Sequence, residues 1–228
     1  AQDRARLGGP GLQFEALIDR MLDERSGAGD ATVRDATQAL MHEVVDGQPL
    51  SRGAIASILR NWTVGEIGTI AASVGIIAEW LACHPDWQQR LRGRPELQAE
   101  AIEEMLRLHG PLVVNRRVAR CPAHVGGHEF EAGERVTVHW TAANRDPRVF
   151  EAPEEFRLGR DQSRNLLYGA GIHVCPGAPM ARVQLAVWLR AMLDATCAIA
   201  PARADQPREY ACYPAMGFAR LPLMLRWA

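Results

Sequence analysis

The sequence contains no lysine, because all 26 of its basic residues are arginine. We interpret this absence as the coding bias of a GC-rich bacterial genome. Since 27 acidic residues leave a net charge of only −1, neither nucleic acid nor an anionic membrane is expected as a partner. The chain also lacks a Cys-x-x-Cys pair and a disulfide framework, so we expect a reducing cytosol. Its five cysteines are irregularly spaced, at positions 83, 121, 175, 197 and 212.

Neither a signal peptide nor a membrane span is predicted. The first residues lack the charged-then-apolar order of a signal peptide. The apolar stretch 55–82 is interrupted by Arg60, Glu66 and Glu79, whereas a membrane helix needs about 20 predominantly apolar residues. We therefore interpret this stretch as a core helix. The 228 residues, 47% hydrophobic and 23% charged, suit one globular cytoplasmic domain or a large piece of one.

Hydrophobic periodicity predicts a mainly α chain with a small antiparallel β region. A break is expected at residues 26–30, and Ser51 is the expected N-cap of the longest helix. The predicted helices cover residues 14–22, 40–45, 51–83, 86–92, 96–108 and 178–189. Alternation at Val136, Val138 and Trp140 predicts the small sheet, and a last strand is expected at 221–225.

The segment YGAGIHVCPG, residues 168–177, places Cys175 among three glycines and at the N-terminus of a predicted helix. A helix N-terminus favours a bound negative charge such as a thiolate, and the glycines allow a large, flat group to approach. A small buried hydrophobe is the alternative for a lone cysteine. A structural zinc site needs four ligands, of which His173 and Cys175 would supply two.

The order aromatic-x-x-Gly-x-His-x-Cys-x-Gly resembles the haem-binding loop of the cytochrome P450 family, the haem-thiolate monooxygenases. The resemblance implies that Cys175 ligates the iron of haem b (iron protoporphyrin IX). The other cofactor-binding residues that the resemblance implies are Tyr168, Gly171 and Gly177, with Arg117 and His173 as donors to the haem propionates. The alternative for Arg117 is that it is an ordinary arginine on the surface of a strand.

The long predicted helix contains Gly65-Glu66-Ile67-Gly68-Thr69, which is similar to the P450 helix that crosses the haem face. The resemblance implies that Gly65 lies beside the cofactor, where the glycines would let the helix bend and open. It assigns Thr69 and an acid to the relay that carries protons to dioxygen. This chain has Gly68 in place of that acid, so we expect Thr69 and Glu66 as the catalytic pair. The alternative for Thr69 is a hydrogen bond back to a carbonyl one turn earlier.

Glu104 and Arg107 are three residues apart, so on a helix they share a face and are able to pair. In this position they resemble the P450 Glu-x-x-Arg pair, which holds the core behind the cysteine loop. The third member of this group is often an arginine where this chain has Glu155. We expect either Arg157 in that role or no third member.

The substrate-facing positions follow from the resemblance alone. Core packing explains Val64 and Val113 equally well. The mostly apolar character of the set predicts a hydrophobic small-molecule substrate. The set comprises Asn61, Val64 and Gly65 on the long helix, Val113 and Asn115 after the Glu-x-x-Arg helix, and Pro214 and Ala215 near the end of the chain.

The resemblance predicts a single haem-thiolate domain over residues 1–228 with P450-type monooxygenase activity. Family members are about twice as long, so we expect the C-terminal half of a longer polypeptide, with the N-terminal half as a further partner. The expected reaction uses O2 and electrons from NAD(P)H through a ferredoxin-like or flavin redox partner. The alternatives are a truncated, non-catalytic haem or small-molecule binding protein, and a peroxide-driven peroxygenase.

Overall fold

The computed structural model describes residues 9–26, 35–203 and 205–228. The break predicted after Ser26 lies outside these residues. The chain divides into two compact units, Ala1–Glu66 and Ile67–Ala228, and the boundary falls within one long helix. The described helices are α1 (Gly9–Ser26), α2 (Ala36–Met41), α3 (Arg52–Cys83), α4 (Pro85–Gly93), α5 (Gln98–Leu108), α6 (Trp140–Ala143) and α7 (Ala178–Ala195). The described strands are β1 (Val44–Val45), β2 (Gln48–Pro49), β3 (Val114–Val118), β4 (Ala123–Val125), β5 (His128–Phe130), β6 (Arg135–His139), β7 (Thr196–Pro201), β8 (Glu209–Tyr210), β9 (Phe218–Arg220) and β10 (Leu223–Trp227).

The first unit has a small core in which Ile18 and Leu22 of α1 pack with Ile55 of α3. The helix predicted for residues 40–45 is wrong beyond Met41, because Val44–Val45 is a strand paired with Gln48–Pro49. Asp46 and Gly47 between these strands have φ angles of +52° and +75°. This left-handed backbone makes a tight hairpin turn that a helix could not contain.

Helix α3 begins after Ser51, whose Oγ accepts a hydrogen bond from Ala54 N–H (3.2 Å), as an N-cap does. By length and composition alone, α3 is the one described helix that could cross a membrane. Its last turns, however, are buried in the core of the second unit, where Ile77 and Leu81 have no exposed surface. This burial is what the interpretation as a core helix predicts.

The core of the second unit joins the end of α3 to α4, α5, α7 and β7. Helix α7 contributes Leu185, Leu189 and Leu193, which lie four residues apart and therefore on one face. Gln88 of α4 connects two elements of this core: its side chain donates to the carbonyls of Leu81 (2.8 Å) and Ile199 (2.7 Å). Because α7 follows Cys175 closely, this packing fixes where the cysteine loop ends.

Each β-ladder of the second unit joins two antiparallel strands: β3 with β6, β4 with β5, β7 with β10 and β8 with β9. Trp140, predicted to end a strand, instead begins α6, because the His139 side chain accepts a hydrogen bond from Ala142 N–H (3.1 Å) and caps that helix. The last strand begins at Leu223 rather than at residue 221. Pro222 lacks the N–H that a strand residue would donate to its ladder.

Candidate functional site

Cys175 lies in a loop that closes on itself just before α7. Its backbone N–H donates to the Tyr168 carbonyl (2.8 Å), and the Val174 N–H donates to the Gly171 carbonyl (3.1 Å). Gly177 is the N-cap of α7, so Cys175 stands two residues before the cap rather than at the start of the helix. A Cβ atom added to Gly177 would lie 3.8 Å from the Cys175 Sγ. The glycine therefore keeps the space beside the sulfur open.

The loop presents an open, apolar face. Every residue from 170 to 177 is exposed, and Ile172 retains 96% of its surface. Gly171 has a φ of +64°, and a Cβ atom added there would meet no atom within 4 Å. A side chain at this position would strain the backbone and occupy the open space.

A buried network of charges joins α5 to the segment that leads into this loop. Glu104 and Arg107 have no exposed surface, and Arg107 donates to both carboxylate oxygens, at 2.8 and 2.9 Å. Arg160 Nε donates to Glu104 Oε1 (2.8 Å), and Gln162 Nε2 donates to Oε2 (3.3 Å). Burial alone would raise the pKa of Glu104, but the hydrogen bonds from Arg107 and the Arg157 N–H hold this pKa below its ordinary value.

The second guanidinium of this network comes from Arg160, so the expectation for the Arg157 side chain is wrong. Arg157 gives Glu104 only its backbone N–H (3.1 Å), while its guanidinium pairs with Glu155 on the surface (2.7 Å). Gly159 has a φ of +83°, which produces a sharp turn directly before Arg160. The glycine before Arg160 is the signal in the sequence that points to this turn.

The network reaches the cysteine loop through backbone hydrogen bonds. Arg107 donates to the Asn144 carbonyl (2.7 Å), and the Asn144 side chain accepts from Leu166 N–H (2.7 Å). The Leu166 carbonyl in turn accepts a hydrogen bond from Gly169 N–H (3.0 Å). Gly169 directly follows Tyr168, whose carbonyl accepts the hydrogen bond from Cys175 N–H. The position of the loop thus depends on α5 although no side chain of the loop enters the network.

Tyr168 has a phenol oxygen that is buried without a hydrogen-bond partner among the described residues. The Arg182 guanidinium carbon lies 4.6 Å from the centre of its ring, and Arg182 pairs with Glu103 (2.8 Å). Burial raises the pKa of Tyr168 to about 12. The phenol therefore stays protonated at physiological pH.

Helix α3 continues without a break through Gly65, Gly68 and Thr69. Glycines are compatible with this helix, because a glycine keeps the N–H and C=O that the helix ladder uses. Gly68 and Thr69 belong to the second unit and are exposed. The Thr69 carbonyl accepts a hydrogen bond from Ser73 Oγ (2.8 Å).

Four further candidate positions on α3 belong to the first unit. Asn61, Gly65 and Glu66 are all exposed. Val64 lies on the same helix, and its side chain is outside the described residues.

Two of the predicted substrate-facing segments meet in the second unit. Val113 N–H donates to the Pro214 carbonyl (2.9 Å), and Leu112 forms an antiparallel bridge with Ala215. Asn115 Oδ1 accepts from the indole N–H of Trp140 (2.7 Å).

Val113 and Ala215 line a cleft of about 420 Å³ whose wall also includes Ile76, Phe218 and His109. Burial is the main cause of the lowered pKa of His109. The lowered pKa favours the neutral form of its imidazole. The cleft thus combines apolar walls with polar groups from Glu79, His109, Tyr210 and Tyr213.

The two expected propionate donors remain separate exposed groups. Arg117 lies on β3, and its guanidinium donates to the carbonyl of Arg116 (3.0 Å). His173 ends the short 3-10 turn of the cysteine loop and is exposed. Both side chains are therefore accessible to an anionic group.

Comparisons with known proteins identify the family. The cytochrome P450 family model matches residues 94–210. Cytochrome P450 144 of Mycobacterium tuberculosis is 42% identical over 130 residues, which are 57% of this chain and 30% of that protein. Cytochrome P450 105C1 of a Streptomyces species is 39% identical over 202 residues, 84% of this chain and 52% of that protein. The crystal structure of CYP108D1 from Novosphingobium aromaticivorans matches 100% of this chain and 54% of its own, with 27% identity and a TM-score of 0.87.

The chain belongs to the cytochrome P450 family, the haem-dependent monooxygenases. Its fold is the C-terminal portion of the P450 fold, mainly α with small antiparallel sheets. The chain spans about half the length of the solved structures that it matches. The cysteine loop fits haem, because it combines an exposed thiol with a glycine cradle that added Cβ atoms would fill.

The buried phenol of Tyr168 leads to a prediction on its ionisation. A rapid pH jump followed by phenolate absorbance, read before the chain unfolds, should show one tyrosine that ionises near pH 12. Tyr168→Phe should remove this step, whereas Tyr213→Phe, which changes an exposed tyrosine, should retain it. A step near pH 12 that survives Tyr168→Phe would assign it to another residue.

Proposed function

We propose that residues 1–228 form the haem-thiolate domain of a bacterial cytoplasmic monooxygenase, with Cys175 as the ligand of haem b. The observation that carries this proposal is the closed loop that exposes the Cys175 sulfur between two glycines at an open apolar face. When bound, haem supplies the reduction of O2 and the insertion of one oxygen atom into a C–H bond. The protein supplies the ligand, the pocket and the electrostatics.

Further contacts to the cofactor would come from Tyr168, Gly171, Gly177 and Gly65. Arg117 and His173 would donate hydrogen bonds to the propionates, and a guanidinium suits this role because it binds carboxylates through two parallel bonds. The exposure of Arg117 and His173 supports this assignment.

The substrate would be a hydrophobic small molecule. Val113 and Ala215 contribute apolar wall to the cleft, and the hydrogen bond between Val113 and Pro214 holds the two segments together. The Asn115 side chain accepts a hydrogen bond from Trp140 and would thereby position the segment that contains Val113. Asn61 and Val64 are proposed to face the substrate on the resemblance alone.

Proton delivery would depend on Thr69, with Glu66, three residues earlier on the same helix, as the candidate acid. Gly68 leaves a gap in the relay, because glycine has no carboxylate; a Cβ atom at this position would meet no atom within 4 Å outside its own stretch of helix. The space for a carboxylate is therefore present while the carboxylate is not. This observation favours the second candidate function, a peroxygenase, because hydrogen peroxide brings its own protons.

Electrons would come from NAD(P)H through a ferredoxin-like or flavin redox partner. A further partner would be the remaining half of the P450 fold. One face of α7 supports this, because Met180, Val183 and Val187 keep 60%, 63% and 63% of their surface exposed. They lie at i, i+3 and i+7, so they form an apolar stripe of the kind that packs against another helix.

The first prediction of this proposal concerns the iron ligand. After reduction and addition of CO, the haem-loaded protein should show the red-shifted Soret band of thiolate ligation. Cys175→Ala should abolish this band completely, because the substitution removes the sulfur. Cys121→Ala, which changes another exposed cysteine, should leave the band unchanged. A band that survives Cys175→Ala would exclude Cys175 as the ligand.

Pro176 generates a second prediction. The residue after the ligand cysteine would normally direct an N–H towards the sulfur, and proline has none. Pro176→Leu should therefore raise the iron reduction potential, because hydrogen bonds to a ligand tune the metal. Pro179→Leu, in the first turn of α7, is the matched control and should change the potential little. A potential that falls or stays constant in Pro176→Leu would contradict the account.

The gap at Gly68 predicts poor coupling of electrons to product. In the complete oxygenase with its redox partner, much NAD(P)H should be consumed with release of hydrogen peroxide. Gly68→Asp should increase the product formed per NAD(P)H, since a positioned general acid contributes about 10²–10⁴-fold in rate. Added hydrogen peroxide should support turnover better than the electron-transfer route.

Gly53→Asp is the matched control, because it adds an exposed acid to the first turn of the same helix. It should leave coupling unchanged. Tight coupling in the unsubstituted protein would show that another group carries the proton. Glu66→Gln would then test the nearest candidate.

A further inference from the structure

His109 contributes an imidazole to the wall of the cleft of about 420 Å³. The backbone of this residue is fixed, because its N–H donates to the Met105 carbonyl (2.9 Å) and caps the C-terminus of α5. Within residues 9–26, 35–203 and 205–228, neither ring nitrogen has a hydrogen-bond partner. A half-buried polar group without a partner loses free energy that a hydrogen bond would recover. The imidazole is therefore available to a ligand in the cleft.

The imidazole of His109 is uncharged at neutral pH. Burial is the largest cause of its lowered pKa, and Arg145 and His84 lower the pKa further. Glu79 and Glu154 act in the opposite direction and do not outweigh these effects. A neutral imidazole has one nitrogen that donates a hydrogen bond and one that accepts. A ligand group that both donates and accepts is the matching chemistry.

Glu79 also lines the cleft, but its charge is already compensated. Its Oε1 accepts hydrogen bonds from the Arg208 guanidinium and from Cys83 Sγ (3.5 Å). An ammonium group in the cleft would compete with Arg208 for this carboxylate, and a ligand carboxylate would be repelled by it. A neutral polar group meets neither obstacle.

The apolar walls of the cleft come from α3 and from the segment that contains β8 and β9. Ile76 of α3 faces this segment, because a Cβ atom added to Gly217 would lie 3.4 Å from Ile76 Cγ1. The glycine therefore allows the chain before β9 to approach the helix closely. The Phe218 ring packs against that of Tyr210, with 5.3 Å between their centres. These contacts give the cleft an apolar surface beside its polar groups.

We propose that the cleft binds an apolar molecule that carries one neutral hydroxyl group, and that His109 determines this specificity by hydrogen bonding to the hydroxyl. A hydroxyl donates and accepts, so it satisfies either nitrogen of the ring. Ile76, Val113 and Phe218 provide apolar surface for the rest of the molecule. The identification of this molecule as the substrate rests on the proposed function, whereas its binding to the cleft does not.

The test uses four probes that share the indane ring system: 1-indanol, indane, protonated 1-aminoindane and indane-1-carboxylate. Their affinities for the 228-residue chain without haem are measured by NMR titration at neutral pH. 1-Indanol should bind about fivefold or more tightly than indane, because it supplies the hydrogen bond that the imidazole lacks. Both ionic probes should bind more weakly than 1-indanol, since Arg208 competes with the ammonium and Glu79 repels the carboxylate.

Substitutions of His109 separate its hydrogen bond from its packing. His109→Phe keeps an aromatic ring and should bring the affinities for 1-indanol and indane to within about twofold of each other. His109→Gln keeps a neutral donor and acceptor and should retain the preference for 1-indanol. His128→Phe is the matched control, because this exposed histidine of β5 lies outside the cleft, and it should leave the preference unchanged. If His109→Phe does not fold, His109→Leu takes its place.

Equal affinities of the unsubstituted chain for 1-indanol and indane would overturn the proposal, and so would tighter binding of an ionic probe. A preference that survives His109→Phe, or that His128→Phe also removes, would exclude His109 as its source. Absence of binding by all four probes would exclude the cleft as the site. A hydroxyl preference in a protein whose haem-loaded form lacks the thiolate-type CO band would reject the haem function alone. The CO band without the preference would reject the present proposal alone.

Discussion

The carboxylate of Glu104 is the constraint on which the second unit depends. A buried carboxylate costs free energy unless cations and hydrogen-bond donors surround it. Arg107 and Arg160 meet that requirement, and both guanidiniums then bind carbonyls of the segment 144–155. Because the pKa of Glu104 is held below its ordinary value, its stabilising contribution is present above pH 4.5 and is lost only as the pH falls through the lowered pKa.

This arrangement explains how an exposed loop keeps a defined shape. The residues from 170 to 177 have little packing of their own, and the Cys175 N–H is bound to a carbonyl whose neighbours are held by the network. The loop is therefore held by hydrogen bonds on the side of α5 and open on the opposite side. A P450 cofactor site needs this combination, because the ligand must be fixed in place while its face remains accessible.

Local sequence patterns predicted much of the fold, and the failures have local causes. Repeats of three and four residues identified α1, and the N-cap residue Ser51 marked the start of α3. Val44–Val45 was assigned to a helix because two valines fit either pattern, and the hairpin depends on the backbone of Asp46. Alternation predicts a strand at Trp140, because the pattern does not reveal that His139 caps a helix.

At the candidate site, the motif around Cys175 is visible in one short segment, whereas the arginine that pairs with Glu104 from outside α5 is not. Arg157 and Arg160 are chemically equal in the sequence, and only the turn at Gly159 decides which of them is buried.

The partners of Glu104 lie far along the chain from it. Its donors outside α5 come from residues 53, 56 and 58 positions later, with all of β3 to β6 in between. During synthesis, α5 therefore leaves the ribosome with its carboxylate paired to Arg107 alone. The strands must emerge before Arg160 can join it, and contacts between such distant residues form slowly because a long loop must close first. Cys175 emerges later still, so the nascent chain contains the residues that support the cysteine loop before it contains the sulfur.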